Sequence, residues 1–113
     1  MKSIAFVRFY GVIPEELFRK YSVTSYRSIG SALFEVTAEV ASPDMIIMNA
    51  DSDEAREYPL FIERIKRRNP GTMSCVYRMG KRISAKKYGA DCSLPKSYNF
   101  DELSDFVTSQ IGE

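Results

Sequence analysis

A chain of 113 residues, 44% hydrophobic and 27% charged, is long enough to bury one core without metal or disulfide staples. Its formal net charge of +1 and its ordinary apolar content argue against global disorder. The absence of histidine excludes a His general base and a His-ligated zinc, and Cys75 and Cys92 alone cannot cage a metal.

Residues 4–7 are all apolar and read as a buried strand. Pro14, Glu15 and Glu16 open a helix: proline suits the first helical position, and acids suit the positive end of the dipole. Leu17, Phe18 and Tyr21 are expected to face the core. Residues 23–26 are β-prone but alternate with polar side chains, which suits an edge strand. A helix is expected over roughly 29–41, with Ile29, Leu33, Val36 and Val40 on one face. Pro43 stops it, and Asp44 leads into 45–48, apolar throughout like a central strand.

A polar stretch runs from Asn49 to Glu57. Pro59 either starts the next helix at its first turn or kinks it. Phe61, Ile62 and Ile65 supply its apolar stripe, and Arg64, Lys66, Arg67 and Arg68 suit the negative end of its dipole. Asn69, Pro70 and Gly71 stop it. Residues 73–77 are the fourth strand candidate. Residues 80–88 allow about two turns of helix, anchored by Ile83 and capped by Gly89. Residues 91–94 are the fifth strand candidate. Asn99, with Glu102 three residues on, opens an amphipathic last helix carrying Phe100, Leu103, Phe106, Val107 and Ile111. Strand and helix alternate five times, which implies parallel strands joined by helical crossovers in a three-layer α/β sandwich.

Charge is distributed in blocks. Asp91 is the only acid between Arg64 and Lys96, Arg56 the only base between Glu35 and Glu63, and no base follows Lys96. Faces of opposite sign are expected. The basic stretch with Lys81, Arg82, Lys86 and Lys87 carries few aromatics beyond Tyr77 and Tyr88 at its ends. It reads as a docking face for a protein rather than a nucleic-acid platform, which would interleave charge with exposed rings. A second copy of the chain is a further candidate partner. No apolar run nears the roughly 20 residues that span a bilayer. No signal-peptide pattern is visible, so the expected compartment is a reducing cytoplasm.

In this order the segments Ser42-Pro43-Asp44-Met45-Ile46-Ile47-Met48 and Tyr88-Gly89-Ala90-Asp91, with the spacing on to Lys96 and to Phe100-Asp101-Glu102-Leu103, resemble a response-regulator receiver domain. The resemblance covers nearly the whole chain. It implies a flavodoxin-like five-stranded parallel sheet of order 2-1-3-4-5, about five helices, and a functional pocket at the carboxyl ends of the strands. The family's chemistry needs a carboxylate at the end of the third strand, an acidic pair after the first to hold magnesium, a Ser or Thr after the fourth, and a Lys after the fifth.

Carried onto this sequence, the phosphoacceptor position falls on Asn49, whose carboxamide is no acyl-phosphate nucleophile. The acidic pair falls on Arg8 and Phe9, and a guanidinium stands where magnesium wants oxygen ligands. The Ser/Thr position falls on Tyr77, expected to pack. Only the lysine survives, as Lys96, in the order Pro95-Lys96 rather than Lys-Pro. Arg8 is expected to replace the ion, facing Asn49 or pairing with Asp51. Lys96 also reads as a strand-end lysine that pairs with Asp51. Cys75 reads as a small core residue. By the implied order Cys92 lies in the neighbouring strand, and in a cytoplasmic protein the pair is expected to be unlinked.

The expectation is a degenerate, phosphorylation-independent receiver acting by protein–protein contact in bacterial signal transduction, with no enzymatic activity, cofactor or metal. It forms one domain over 1–113, potentially cut from a longer chain with an output domain. Two alternatives stand: a phosphorylated receiver using a displaced acid, Asp51 or Asp53, and a localisation domain similar to those of pilus-assembly and partitioning ATPases. The loop from Phe9 to Ile13 lacks a phosphate-cradling glycine pattern, which disfavours an unrelated flavodoxin-like enzyme.

Overall fold

A computed structural model describes residues 1–9, 11–37, 43–78, 83–94 and 100–112, without the side chains of 34–37, 100 and 101. Five parallel strands, β1 (Ser3–Val7), β2 (Ser22–Tyr26), β3 (Met45–Asn49), β4 (Met73–Tyr77) and β5 (Cys92–Ser93), form one sheet in the order β2-β1-β3-β4-β5. Four α-helices are present among the described residues: α1 (Glu15–Lys20), α2 (Ile29–Thr37), α3 (Tyr58–Arg68) and α4 (Phe100–Ile111). The architecture is the flavodoxin-like α/β sandwich.

Alternating side chains divide the core into two layers, because successive strand residues point to opposite faces. Ala5, Val7, Ile46, Met48 and Val76 pack with Ile29 and Ala32 of α2 and Tyr58, Phe61, Ile62 and Ile65 of α3. Ile4, Phe6, Met45, Ile47, Cys75 and Tyr77 pack on the other face, with Leu17 of α1 and Leu103, Val107 and Ile111 of α4. β3 is buried at every position, as its central place and its unbroken apolar run require. β2 is a mostly exposed edge.

Local chemistry sets the boundaries. Pro59 lies in the first turn of α3, so it starts the helix rather than kinking it. The Asn69 N–H donates to the Ile65 carbonyl at its end. Asp44 ties the start of β3 to that of β1, accepting the Ser3 N–H at 2.8 Å. The Lys2 ammonium donates to the Ile111 carbonyl at 2.6 Å, holding the end of α4 beside the start of β1.

Four expectations are corrected. Pro14 is the N-cap of α1 rather than its first helical residue, and Phe18 is 54% exposed. With only six residues, α1 turns Leu17 inward, the chain then buries Tyr21, and Phe18 points aside. The stretch over 80–88 contains a 3-10 turn, Ala85–Tyr88, closed by Gly89 at φ +70°, in place of a fifth α-helix; residues 79–82 lie outside the described residues. Two apolar anchors, Ile83 and Tyr88, suffice for a turn but give no helical stripe. Cys75 and Cys92 are joined as a disulfide. The β4–β5 register sets them opposite each other, with Cα atoms 4.7 Å apart. Val40 and the Asn99 cap lie outside the described residues, as does the side chain of Val36.

Candidate functional site

The carboxyl edge of the sheet is built from the residues that follow the strands. An arginine stands directly after β1, β2 and β4: Arg8, Arg27 and Arg78. The acids Asp51, Asp53 and Glu54 stand in the loop after β3.

Arg8 leaves β1 with φ +57°, the only non-glycine residue of positive φ among the described residues. For an L-residue that conformation costs about 1–2 kcal/mol. Its N–H still donates to the Tyr26 carbonyl at 2.9 Å, holding the turn to the end of β2. Its guanidinium donates to the Arg27 carbonyl at 3.2 Å and to the Asp53 carboxylate at 2.9 Å, and Glu54 lies 3.9 Å from Nε. Glu54 also accepts the Ile29 N–H at 3.1 Å, at the start of α2, where the helix dipole favours a carboxylate. Arg8 thus links β1, the turn after β2 and the loop after β3.

Asn49, at the end of β3, is 4% exposed. Its Oδ1 accepts the Asp51 N–H at 2.9 Å, an Asx turn that folds the loop back on the strand. Its carbonyl accepts the Tyr58 hydroxyl at 2.6 Å and the Ser52 N–H at 3.2 Å. Asp51 receives Arg78 Nε at 2.9 Å. The expected Arg8–Asp51 pair is therefore corrected to Arg8–Asp53 and Arg78–Asp51. The left-handed turn swings Arg8 toward β2 and the Asp53 side of the loop, while the β3–β4 pairing brings Arg78 to Asp51.

Phe9 packs edge-on to Phe6 at 4.9 Å and against Tyr77 at 5.3 Å, so the aromatic after β1 covers the one at the end of β4. Tyr77 is buried, as expected of packing surface. An open cleft of about 520 Å³ lies between the ends of β1 and β2, lined by Arg8, Phe9, Ser25, Tyr26 and Arg27. Lys86 and Lys87 are exposed on the 3-10 turn, while Lys81, Arg82 and Lys96 lie outside the described residues, so the expected Lys96–Asp51 pair does too.

This donor set does not suit magnesium. At the positions that the resemblance would give to metal-holding acids stand a guanidinium and a phenyl ring, and the loop carboxylates Asp51 and Asp53 are paired with arginines. Among the described residues no group of three or more His, Cys, Asp or Glu is placed to hold a metal ion. Arg78 and Glu54 were not singled out for this site by the sequence reading. For Arg78 the available signal is positional, since a charged residue directly after a parallel strand lands on the carboxyl edge; Glu54, further along the loop, carries no such signal. No protein-family model matches the chain, and no curated protein matches its sequence significantly. Among the described residues no helix is long and apolar enough to cross a membrane.

Proposed function

We propose that the chain is a degenerate receiver domain that works in bacterial signalling by protein–protein contact, without phosphorylation, in the cytoplasm. The observation that carries this reading is the ion pairing of the carboxyl edge. Asn49 stands at the end of the central strand with its amide committed to the Asp51 N–H, and Arg8 is committed to Asp53. An arginine cannot give up its charge to admit a cation. The displaced-acid alternative is weakened by the same pairs, because phosphorylation of Asp51 or Asp53 would first break a bond to Arg78 or Arg8. The partner face of this reading is basic, with Lys86 and Lys87 exposed on it and Lys81 and Arg82 shortly before them in sequence.

Incubation with a small acyl phosphate and magnesium, followed by intact-mass measurement, tests this. No added phosphate is expected, either in the native chain or in Asn49→Asp, where Arg8 remains at the position that the resemblance gives to a metal-holding acid. A magnesium-dependent phosphate adduct on the native chain would overturn the reading.

A further inference from the structure

We propose that Cys75 and Cys92 form a thiol-exchange site, through which low-molecular-weight thiols and disulfides open and close a covalent clasp between β4 and β5. This inference is independent of the receiver reading.

The chain's only two cysteines are separated by 17 positions and meet in strand register. Their Cα separation of 4.7 Å lies within the range a disulfide spans. Their environments differ. Cys75 is 0% exposed, under the layer formed by α1 and α4, whereas Cys92 is only half-buried at the margin of that layer. Of the two, Cys92 is the less buried, which assigns it to the incoming thiolate and makes Cys75 the leaving and resolving sulfur.

The site also accommodates the open form. Cys92 Sγ lies 3.7 Å from the Ser74 carbonyl oxygen, an acceptor for a thiol proton that a disulfide sulfur cannot use. Reduction balances as follows. A thiolate RS⁻ attacks Cys92 Sγ, forming an R–S–Sγ bond as the Cys75–Cys92 bond breaks, and Cys75 leaves as a thiolate that takes a proton. A second RSH displaces the adduct from Cys92, giving two protein thiols and RSSR. Closure is the reverse, with RSSR as the oxidant.

The element held by this bond is short. β5 has two residues, and its flanks are fastened to β4 by Asp91 N–H to the Ser74 carbonyl at 2.9 Å and Leu94 N–H to the Val76 carbonyl at 3.0 Å. Leu94 leads on to α4 in the same core layer. Opening the clasp therefore loosens β5 and the packing of Leu94 in the layer it shares with α4, while β1, β3 and β4 keep their mutual pairing.

The test equilibrates the full chain in glutathione buffers of graded reduced-to-oxidised ratio, traps thiols by alkylation and reads intact mass. Hydrogen exchange and thermal unfolding are then measured on each form. The expected result is a two-thiol, all-or-none transition. Amide protection at 92–94 and in α4 should be lower in the reduced form, with a midpoint lower by several degrees. In Cys92→Ser, Cys75 should stay unreactive toward oxidised glutathione while the chain is folded. Two free thiols in fully oxidising buffer, equal protection of 92–94 in the two forms, or rapid glutathione addition to Cys75 in folded Cys92→Ser would each overturn the proposal.

Discussion

At Asn49 both ends of one residue close the loop after β3: Oδ1 takes the Asp51 N–H, and the carbonyl takes the Tyr58 hydroxyl. Tyr58 is fully buried, so its hydroxyl needs that acceptor. Tyr58→Phe removes the donor but leaves the Asn49 carbonyl with the Ser52 N–H, so no acceptor is stranded. The expected cost is about 1 kcal/mol, read as a lower urea midpoint at unchanged m-value. A loss near 3 kcal/mol would mean the hydroxyl holds more of the loop than this. The places of Asn49 and Arg8 at strand ends were legible in the sequence because each closes or follows an unbroken apolar run. Their partners were not. Which acid an arginine meets depends on a backbone turn such as φ +57° at Arg8, and on a strand pairing that brings Asp51 to Arg78.

Among the elements, β5 is the shortest strand, and Asp91 at its start fastens it to its neighbours. The carboxylate accepts the Ser74 N–H at 2.9 Å and the Ser74 hydroxyl at 3.2 Å, and pairs with Lys66 of α3. Burial pushes its pKa up, and this is the largest single effect. The Lys66 hydrogen bond, the Ser74 N–H, the Lys66 charge and the Ser74 hydroxyl together outweigh it and hold the carboxyl below the usual Asp value. A lowered folded pKa gives stability that is full above the unfolded-state value of about 4 and fades as pH falls through the folded value. Asp91→Asn should therefore lower the thermal midpoint at neutral pH, by an amount equivalent to about 1 kcal/mol, since the Lys66 contact is partly exposed. Wild type and variant should converge in acid; a gap that persists well below pH 3 would contradict this assignment. The unbroken apolar run made β3 legible, and the stripe of Phe61, Ile62 and Ile65 made α3 so. The helix expected over residues 80–88 and the inward place expected of Phe18 in α1 are corrected because so short a segment cannot establish a period. Phe18 beside Leu17 is apolar in sequence yet exposed in the fold.

For the whole molecule, alternation of strand and helix was enough to reach the three-layer architecture, and the resemblance supplied the strand order now found in the sheet. The cysteine pair was misjudged because adjacency of strands was inferred but residue register was not. The sheet's first edge also bears on how the molecule behaves with copies of itself. β2 has no lysine, proline or other charged residue within Ser22–Tyr26, and Ser22, Thr24 and Ser25 are exposed, so its outer backbone groups have little to keep another strand away. Light scattering should show reversible self-association rising with protein concentration, and Thr24→Lys should suppress it without changing the thermal midpoint by more than a few degrees. Monodisperse wild type at millimolar concentration would argue that the edge is protected.

The bond between Lys2 and the Ile111 carbonyl has a practical corollary. It gathers the first strand's beginning and the final helix's finish at one pole, opposite the arginine-bearing rim. A fluorescent reporter fused at either extremity would hang from that far pole and leave the rim accessible. A circular permutant with a brief glycine-serine bridge between the two extremities would need only a modest span, with new ends cut into an exposed turn such as Pro70–Gly71.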